Sequence, residues 1–416
     1  MKYGIHTLDD FDFRSKIVLC RLDLNSPFDA KSGHLKDISR IKAAIPTIKE
    51  LTEKGARLVL LTHQGGDLEY HNFISTELHA KEITKLLGKE VKFIEDVCGP
   101  YAREAIKNLK DGEIILLENV RFMAEELTLF ETKLKLSPEE QAKTQVVKKL
   151  APLADIYVCD AFAAAHRDQP TLVAFEELLP SAMGRLFEKE YEVLTKIMTS
   201  PERPCIFVLG GAKVEDTFIM MPTVLSNKIA DKILCSGLVA QIFMVASEID
   251  IGKPSLDLLF SRKLDSYIGK AKEIWEKHSE KIILPQDYAF IVETRKEIDA
   301  RHLPINHLIE DIGRKTISTY KDEISRARTI FLNGPPGVFE KPETELGTKE
   351  IWNHIARAKK FSVIGGGDSI AVANKYNLLD KFSYVCTGGG AMVRFLSGEE
   401  LPVVRALKKA ATRFKG

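Results

Sequence analysis

Phe361-Ser362-Val363-Ile364-Gly365-Gly366-Gly367-Asp368-Ser369-Ile370 passes from a β-branched apolar stretch through three glycines into an amphipathic continuation. That order describes a strand that ends in a tight backbone turn and hands over to a helix. Such a turn suits an anion. Glycines let the main chain approach closely, and the unpaired N–H groups of the first helical turn, backed by the helix dipole, supply positive potential without a lysine. Asp368 stands where a helix cap or a magnesium ligand would sit. Turns of this composition also serve packing alone, so the reading depends on what the rest of the chain repeats.

The rest of the chain repeats the strand. Ile17-Val18-Leu19-Cys20, Leu58-Val59-Leu60-Leu61, Val91-Lys92-Phe93-Ile94, Ile114-Ile115-Leu116-Leu117 and Ile156-Tyr157-Val158-Cys159 alternate with longer helical stretches in the first half. Cys205 to Leu209, Lys232 to Cys235, Ile282 to Leu284, Thr329 to Leu332, Phe361 to Ile364 and Tyr384 to Cys386 do so in the second. Short β-branched runs separated by helices are the pattern of a parallel sheet wound with helices. The endings differ between halves. The first-half runs lead into Arg21, Asp23 and Asn25, into His63 and Gln64, into Asn119 and Arg121, and into Asp160, His166 and Arg167. The second-half runs lead into Gly210-Gly211-Ala212-Lys213, Ser236-Gly237, Asn333-Gly334-Pro335-Pro336-Gly337, Gly365-Gly366-Gly367-Asp368 and Thr387-Gly388-Gly389-Gly390. Ligands of wound sheets lie at the carboxyl ends of the strands, so each set is expected to converge.

Leu179-Pro180-Ser181-Ala182-Met183-Gly184 reads as a break. Beyond it Phe187, Tyr191, Leu194 and Met198 recur at helical spacing before Pro201 and Pro204, the pattern of a helix connecting two domains. Ser137-Pro138-Glu139-Glu140 carries a capping-box signal ahead of a helix through Gln141 to Leu150, and Arg40 opens another helix. The fold expected is α/β: two Rossmann-like doubly wound parallel-sheet domains joined by an interdomain helix that acts as a hinge.

With 416 residues, 44% of them hydrophobic, the chain can bury full cores in two or three domains. Lys and Arg total 60 against 59 Asp and Glu, a balance that calls for neither nucleic acid nor a membrane partner. No run reaches the length of a membrane span, and the six cysteines show no C-x-x-C pair, so a cytoplasmic protein with reduced thiols is expected.

A cluster of Arg21, Arg40, Arg121, Arg167, His63 and His166 would hold a small, multiply charged anion, because guanidinium forks match phosphate and carboxylate oxygens in pairs. A glycine-lined cleft with Lys213 and Asp368 suits a nucleotide and magnesium. Together they describe phosphoryl transfer between a small acid and a nucleotide. No Gly-x-x-x-x-Gly-Lys-[Ser/Thr] occurs, and Ile370 and Val393 stand where a dinucleotide fingerprint needs its third glycine. His166-Arg167-Asp168 matches a protein-kinase triplet by letter, but Val173 replaces the required Asn and no Asp-Phe-Gly follows.

Arg21-Leu-Asp23-Leu-Asn25, Arg40-Ile-Lys-Ala-Ala, Leu117-Glu-Asn119-Val-Arg121, Asp160-Ala-Phe-Ala-Ala-Ala-His166-Arg167, Leu209-Gly-Gly-Ala-Lys213, Asn333-Gly-Pro-Pro-Gly-Val-Phe-Glu340, Gly365-Gly-Gly-Asp368 and Thr387-Gly-Gly-Gly390 stand in one order. In that order, over nearly the whole chain, the sequence resembles the phosphoglycerate kinase family, and its archaeal branch in particular. The resemblance implies reversible transfer from 1,3-bisphosphoglycerate to ADP, giving 3-phosphoglycerate and ATP with magnesium (Mg2+). It implies an acid-substrate domain over 1–184, an interdomain helix over 185–200, a nucleotide domain over 201–395, and a segment over 396–416 that returns to the first domain. It puts Asp23, Asn25, Arg40, His63, Gln64, Gly65, Gly66, Arg121, His166 and Arg167 on the acid substrate. Lys213, Asn333, Pro335, Val338, Glu340, Gly366, Gly367, Asp368 and Ser369 fall on the nucleotide, Asp368 on the metal, and Arg40 with Lys213 on the transferred group. A monomer or homodimer is expected.

Two positions depart from the family pattern. Gly66 stands where an arginine usually follows the glycine, and Thr217 where bacterial and eukaryotic members carry a second lysine. These departures leave an alternative, a catalytically impaired nucleotide- and phosphate-binding protein of the same fold. A nicotinamide dehydrogenase is disfavoured by the missing third glycines.

Overall fold

A computed structural model describes residues 1–66 and 72–415. The chain divides into two compact units, Met1–Glu192 with Glu400–Gly416, and Val193–Glu399. The division falls inside the helix Arg185–Thr199.

In the first unit six strands form one sheet in the order Lys92–Ile94, Ile114–Leu117, Arg57–Leu61, Ile17–Arg21, Ile156–Cys159, Ser181–Met183. Every neighbouring pair is parallel. The chain winds outward from Ile17–Arg21 in one direction and then restarts on its other side, so the topological switch lies between that strand and Ile156–Cys159. One core is built from Val18, Cys20, Leu58, Leu60, Ile114 and Val158 of the strands with Ile41, Ala44 and Ile48 of the helix Ser39–Glu53. The carboxyl-terminal helix Pro402–Arg413 belongs to this unit, where Arg413 pairs with Glu177 at 2.8 Å and Val403 N–H donates to the Ala165 carbonyl.

The second unit repeats the plan with the order Ile282–Ile283, Lys232–Cys235, Cys205–Leu209, Thr329–Asn333, Phe361–Gly365, Tyr384–Cys386, again all parallel. Its switch lies between Cys205–Leu209 and Thr329–Asn333. Ile206, Val208, Ile330, Leu332 and Ile364 pack against Tyr320, Trp352 and Ile355 from the covering helices. The α/β architecture expected from the strand rhythm is therefore present twice. All six cysteines are free and buried.

Two local readings need correction, and one sheet was not anticipated. Ser181–Met183 is not a break but the sixth strand of the first sheet, paired with Tyr157 to Cys159. Three residues between Pro180 and Gly184 are too short for alternation to show. The capping box at Ser137 and Glu140 is formed, yet its helix ends at Gln141 and a separate one covers Gln145–Leu150. An antiparallel sheet of Asp287–Val292, Thr294–Asp299 and Asp311–Ile312 also joins the second unit. Its hairpin turns at Glu293 in the left-handed region, without the Asn-Gly or Asp-Gly that announces such a turn.

Candidate active site

At the strand ends of the first unit, charged side chains are wired to one another. The Asp23 carboxylate accepts from Arg40 Nη1 at 2.7 Å and from the Asn25 N–H at 3.1 Å. Burial works against the charge on Asp23, but Arg40, with Arg21 behind it, outweighs it and holds the carboxyl well below its usual range. His63 is pushed the other way. Burial, with Arg121, Arg21 and Arg40 close by, lowers its pKa well below the ordinary histidine value against the pull of Asp23. The ring is therefore neutral, and its tautomer follows from its neighbours. Arg21 Nη2, which can only donate, lies 3.3 Å from His63 Nδ1, so Nδ1 accepts and the proton sits on Nε2, 4.0 Å from Asp23. Arg21 is itself almost wholly buried, with Nε donating to Thr171 Oγ1 at 2.9 Å, and acts beneath the surface as the group that orients His63.

The loop after Arg57–Leu61 is held by amides. Gln64 Oε1 accepts from the Ser26 N–H at 2.9 Å and faces His79 Nε2 at 3.0 Å, while its Nε2 donates to the Ser26 and Asn72 carbonyls. Asn119 accepts from the Gln64 and Arg121 N–H groups and donates to the Gln64 and Ile74 carbonyls. Gly65 N–H donates to Asn25 Oδ1 at 3.0 Å, and Arg121 Nη1 donates to the Gly65 carbonyl. Gln64, expected on the substrate, is fully buried with its amide spent inside the loop, so it braces the loop. Gly66 is half-buried, and Asp67 lies outside the described residues. His166 and Arg167 are half-buried, and Arg167 is held by Thr128 Oγ1 at 3.3 Å and Glu131 at 3.6 Å.

The strand ends of the second unit are made of backbone. Gly334 has φ +85°, and a Cβ there would lie 2.1 Å from the Gly210 carbonyl oxygen. Gly210 N–H donates to the Asn333 carbonyl and Gly211 N–H to that of Pro335, so the ends of two adjacent strands interlock. The helix Gly367–Lys375 opens at Gly366, and its first backbone bond runs from Ile370 N–H to the Gly366 carbonyl, leaving the opening turn available to an anion. A Cβ on Gly367 would meet nothing within 4 Å. Ser369 is buried, and its hydroxyl accepts from Gly334 N–H at 2.7 Å, so it ties the two glycine turns together. Asn333 is nearly buried beside Gly366. Lys213 is exposed at the start of the helix Val214–Ser226.

Next to these turns is a hollow of about 810 Å³, counting its open mouth. Gly211, Ala212, Leu238, Leu258, Leu308 and Val338 give it apolar walls, with Pro335, Glu340 and Asp368 among its other lining residues. Among the lining residues that sequence reasoning did not single out is Gln241. Its signal was available as a lone amide in the otherwise apolar helix Gly237–Ala246.

Two doubly wound sheets, one ending in cations and the other in glycine turns beside an apolar hollow, define a class: α/β proteins that seat anionic small molecules at strand ends. The model of the family described as phosphoglycerate kinase matches residues 8–399. The chain is 44% identical to a phosphoglycerate kinase of Methanothermobacter thermautotrophicus over 411 residues, 99% of this chain and 98% of that one. The crystal structure of the Pyrococcus horikoshii enzyme superposes with a TM-score of 0.89 at 42% identity, covering 99% of this chain and all of that one. The Coxiella burnetii enzyme gives 0.81 at 31% identity, covering 98% and 100%. This chain belongs to the phosphoglycerate kinase family, and the comparisons lend no support to an impaired variant.

Proposed function

We propose that this chain catalyses the reversible, magnesium-dependent transfer of a phosphoryl group from 1,3-bisphosphoglycerate to ADP, yielding 3-phosphoglycerate and ATP. The observation that carries the reading is full-length similarity to enzymes of that name in a chain that retains Arg40, Lys213 and Asp368. Asp23, Asn25, Arg40, His63, Arg121, His166 and Arg167, with the Gly66 backbone, take the acid substrate, while Gln64 and Gly65, whose polar groups are engaged within the loop, shape it. Gly366, Gly367 and Asp368 take the nucleotide phosphates, Glu340 the ribose, and Pro335 and Val338 the base side, while Asn333 and Ser369 hold the turns.

Both nucleophiles, a diphosphate oxygen and a carboxylate, are anionic near neutral pH, so no general base is needed. The neutral His63 fits this, since it offers an Nε2 hydrogen-bond donor and no second charge. What the reaction needs is alignment and neutralisation of the equatorial oxygens in a loose in-line transition state. Arg40 and Lys213 supply fixed positive charge, and the opening turn of Gly367–Lys375 supplies N–H donors. No group of three or more His, Cys, Asp or Glu side chains able to hold a metal occurs among the described residues. The half-buried Asp368 at the hollow suits magnesium arriving on nucleotide phosphates, where the ion neutralises phosphate charge when bound. Transfer requires the two bound substrates to meet, and the helix Arg185–Thr199 is assigned as the hinge. The buried free thiols suit the cytoplasm, the compartment assigned here. Among the described residues no helix is long and apolar enough to cross a membrane.

The test is ATP formation from ADP and enzymatically generated 1,3-bisphosphoglycerate. Arg40→Ala and Lys213→Ala should each lower turnover by about 10²–10³. Undiminished activity in both variants would overturn the assigned roles.

A further inference from the structure

His79 is wholly buried on the helix Glu77–Leu87, and its Nε2 lies 3.0 Å from Gln64 Oε1. The other bonds of that amide fix its ends. Gln64 Nε2 donates to the Ser26 and Asn72 carbonyls, which only accept, so the atom facing His79 is an oxygen and the ring carries its proton on Nε2. Burial pushes the His79 pKa down to about 4, although the backbone of Leu24 and Thr76 favours the charged ring, so the ring is neutral near pH 7 and Nδ1 is bare. Nδ1 is buried with no hydrogen-bond partner among the described residues. Leaving that acceptor unpaired costs stability, and packing alone would be better served by an apolar side chain. What the ring adds is the Nε2 donor.

With His79 and the Ser26 N–H on Oε1 and two carbonyls on Nε2, the Gln64 amide makes all four of its hydrogen bonds. One of them holds the Asn72 carbonyl where Gly65 packs against it. Gly65 has φ +84°, and a Cβ there would lie 2.5 Å from that oxygen. Gly65 is in turn fastened on both sides by side chains of the first unit's site, since its N–H donates to Asn25 Oδ1 at 3.0 Å and its carbonyl accepts from Arg121 Nη1. The Gly65 N–H also orients the Asn25 amide, leaving Nδ2 as its donor end. A turn of the Gln64 amide would therefore be felt at Asn72, Gly65, Asn25 and Arg121 together.

We propose that His79 is a positioning residue for the acid substrate: by donating to Gln64 it locks the amide that sets Gly65, and through Gly65 it holds Asn25 and Arg121 in register. The inference rests on the reading that the strand ends of the first unit take 3-phosphoglycerate. His79 is fully buried and acts only through Gln64. The glycine turns of the second unit share none of these bonds, so loss of the donor weakens one substrate and spares the other. An interaction that serves substrate and transition state alike shows in KM and leaves kcat in place.

The experiment is steady-state kinetics of the full chain with 3-phosphoglycerate and ATP, comparing the native enzyme with His79→Leu, which removes the donor, and His79→Gln, which restores an N–H. His79→Leu should raise KM for 3-phosphoglycerate about three- to tenfold, with kcat and KM for ATP within about twofold of native, and His79→Gln should recover most of the loss. An unchanged KM for 3-phosphoglycerate in His79→Leu overturns the inference while leaving the functional reading intact. So does an equal rise in both KM values, the result of a loosened fold alone, and so does a Gln variant no better than the Leu variant. Absence of turnover by the native chain overturns both. Should the variants fail to fold, nitrogen NMR of the His79 ring in the native chain decides: a proton on Nε2 with Nδ1 bare at pH 7 upholds the lock, and a proton on Nδ1 overturns it.

Discussion

The first unit ends its strands in side chains and the second ends them in main chain, although the two sheets are wound on the same plan. Arg40, Asp23, His63 and Arg21 form a relay in which each group is positioned by its neighbour's charge or hydrogen bond. At Gly210, Gly211 and Gly334 the relay is replaced by crowding, with backbone against backbone and no room for a Cβ. A site of side chains can be retuned one residue at a time. A site of interlocked main chain is all or nothing, because its donors exist only while the turns keep their conformation.

That contrast is most exposed at Gly334. Gly334→Ala combines an unfavourable left-handed φ with a Cβ placed 2.1 Å from the Gly210 oxygen, which should cost about 4 kcal/mol or more in stability. Urea unfolding together with ADP titration checks this, and near-native stability and ADP affinity in the variant would refute the crowding argument.

The switch strands differ in a second way. In the second unit the switch strand ends in the neutral amide of Asn333, whereas in the first Ile156–Cys159 is followed by Asp160. Asp160 is fully buried, accepts from the Phe187 N–H in the first turn of the helix Arg185–Thr199, and fills the space beside Gly184. Burial pushes its pKa up to about 7, against hydrogen bonds that pull it down. The unfolded chain ionises this carboxyl near pH 4 and the folded chain only near pH 7, so the unfolded state releases its proton first. Stability contributed by this group should fall as pH rises from about 4 to 7, by roughly 4 kcal/mol in all. Asp160→Asn removes the titration, so its stability relative to the native chain should climb over that window. Parallel curves from pH 4 to 8 would disprove the assignment.

Asp23 tests the relay itself. With Asp23→Ala, Arg40 loses its anchor and His63 the partner of its Nε2 side; because the Arg40 side chain is about a third exposed and screened by solvent, the loss of stability should be only about 1 kcal/mol. Turnover should fall about tenfold to a hundredfold, with ADP affinity unchanged because the nucleotide turns are built elsewhere. A fall in ADP affinity as large as the fall in turnover would break the separation of the two sites.

The side-chain site was the more legible of the two in the sequence, and also the more misread. Arg21, Asp23, Arg40 and His63 declare their chemistry by type, but type does not reveal burial. Arg21 sits beneath the surface and Gln64 is consumed by Ser26, Asn72 and His79. The glycine turns announced a phosphate seat, while the hydroxyl of Ser369 turned out to be spent on Gly334. Long parallel strands were readable because they are apolar along their whole length. Ser181–Met183 and the antiparallel hairpin at Glu293 were not, since one is too short for a period and the other turns at a residue with no turn signature.

The smallest expected effect is a gain. If the first unit reads its ligand through separate side chains, adding a cation to its loop should strengthen binding without rebuilding anything. Gly66 is half-buried on the loop that Arg121 and Asn25 already fasten at Gly65, and the resemblance read in the sequence leads one to expect an arginine there. Gly66→Arg should therefore tighten 3-phosphoglycerate by about two- to fivefold, an effect that shrinks as salt screens the added charge. The same measurement on ADP should show no change. Tightening of both ligands alike would mean that the substitution acts through general charge and not through a local fork, and the distinction between side-chain and main-chain recognition would lose its simplest support.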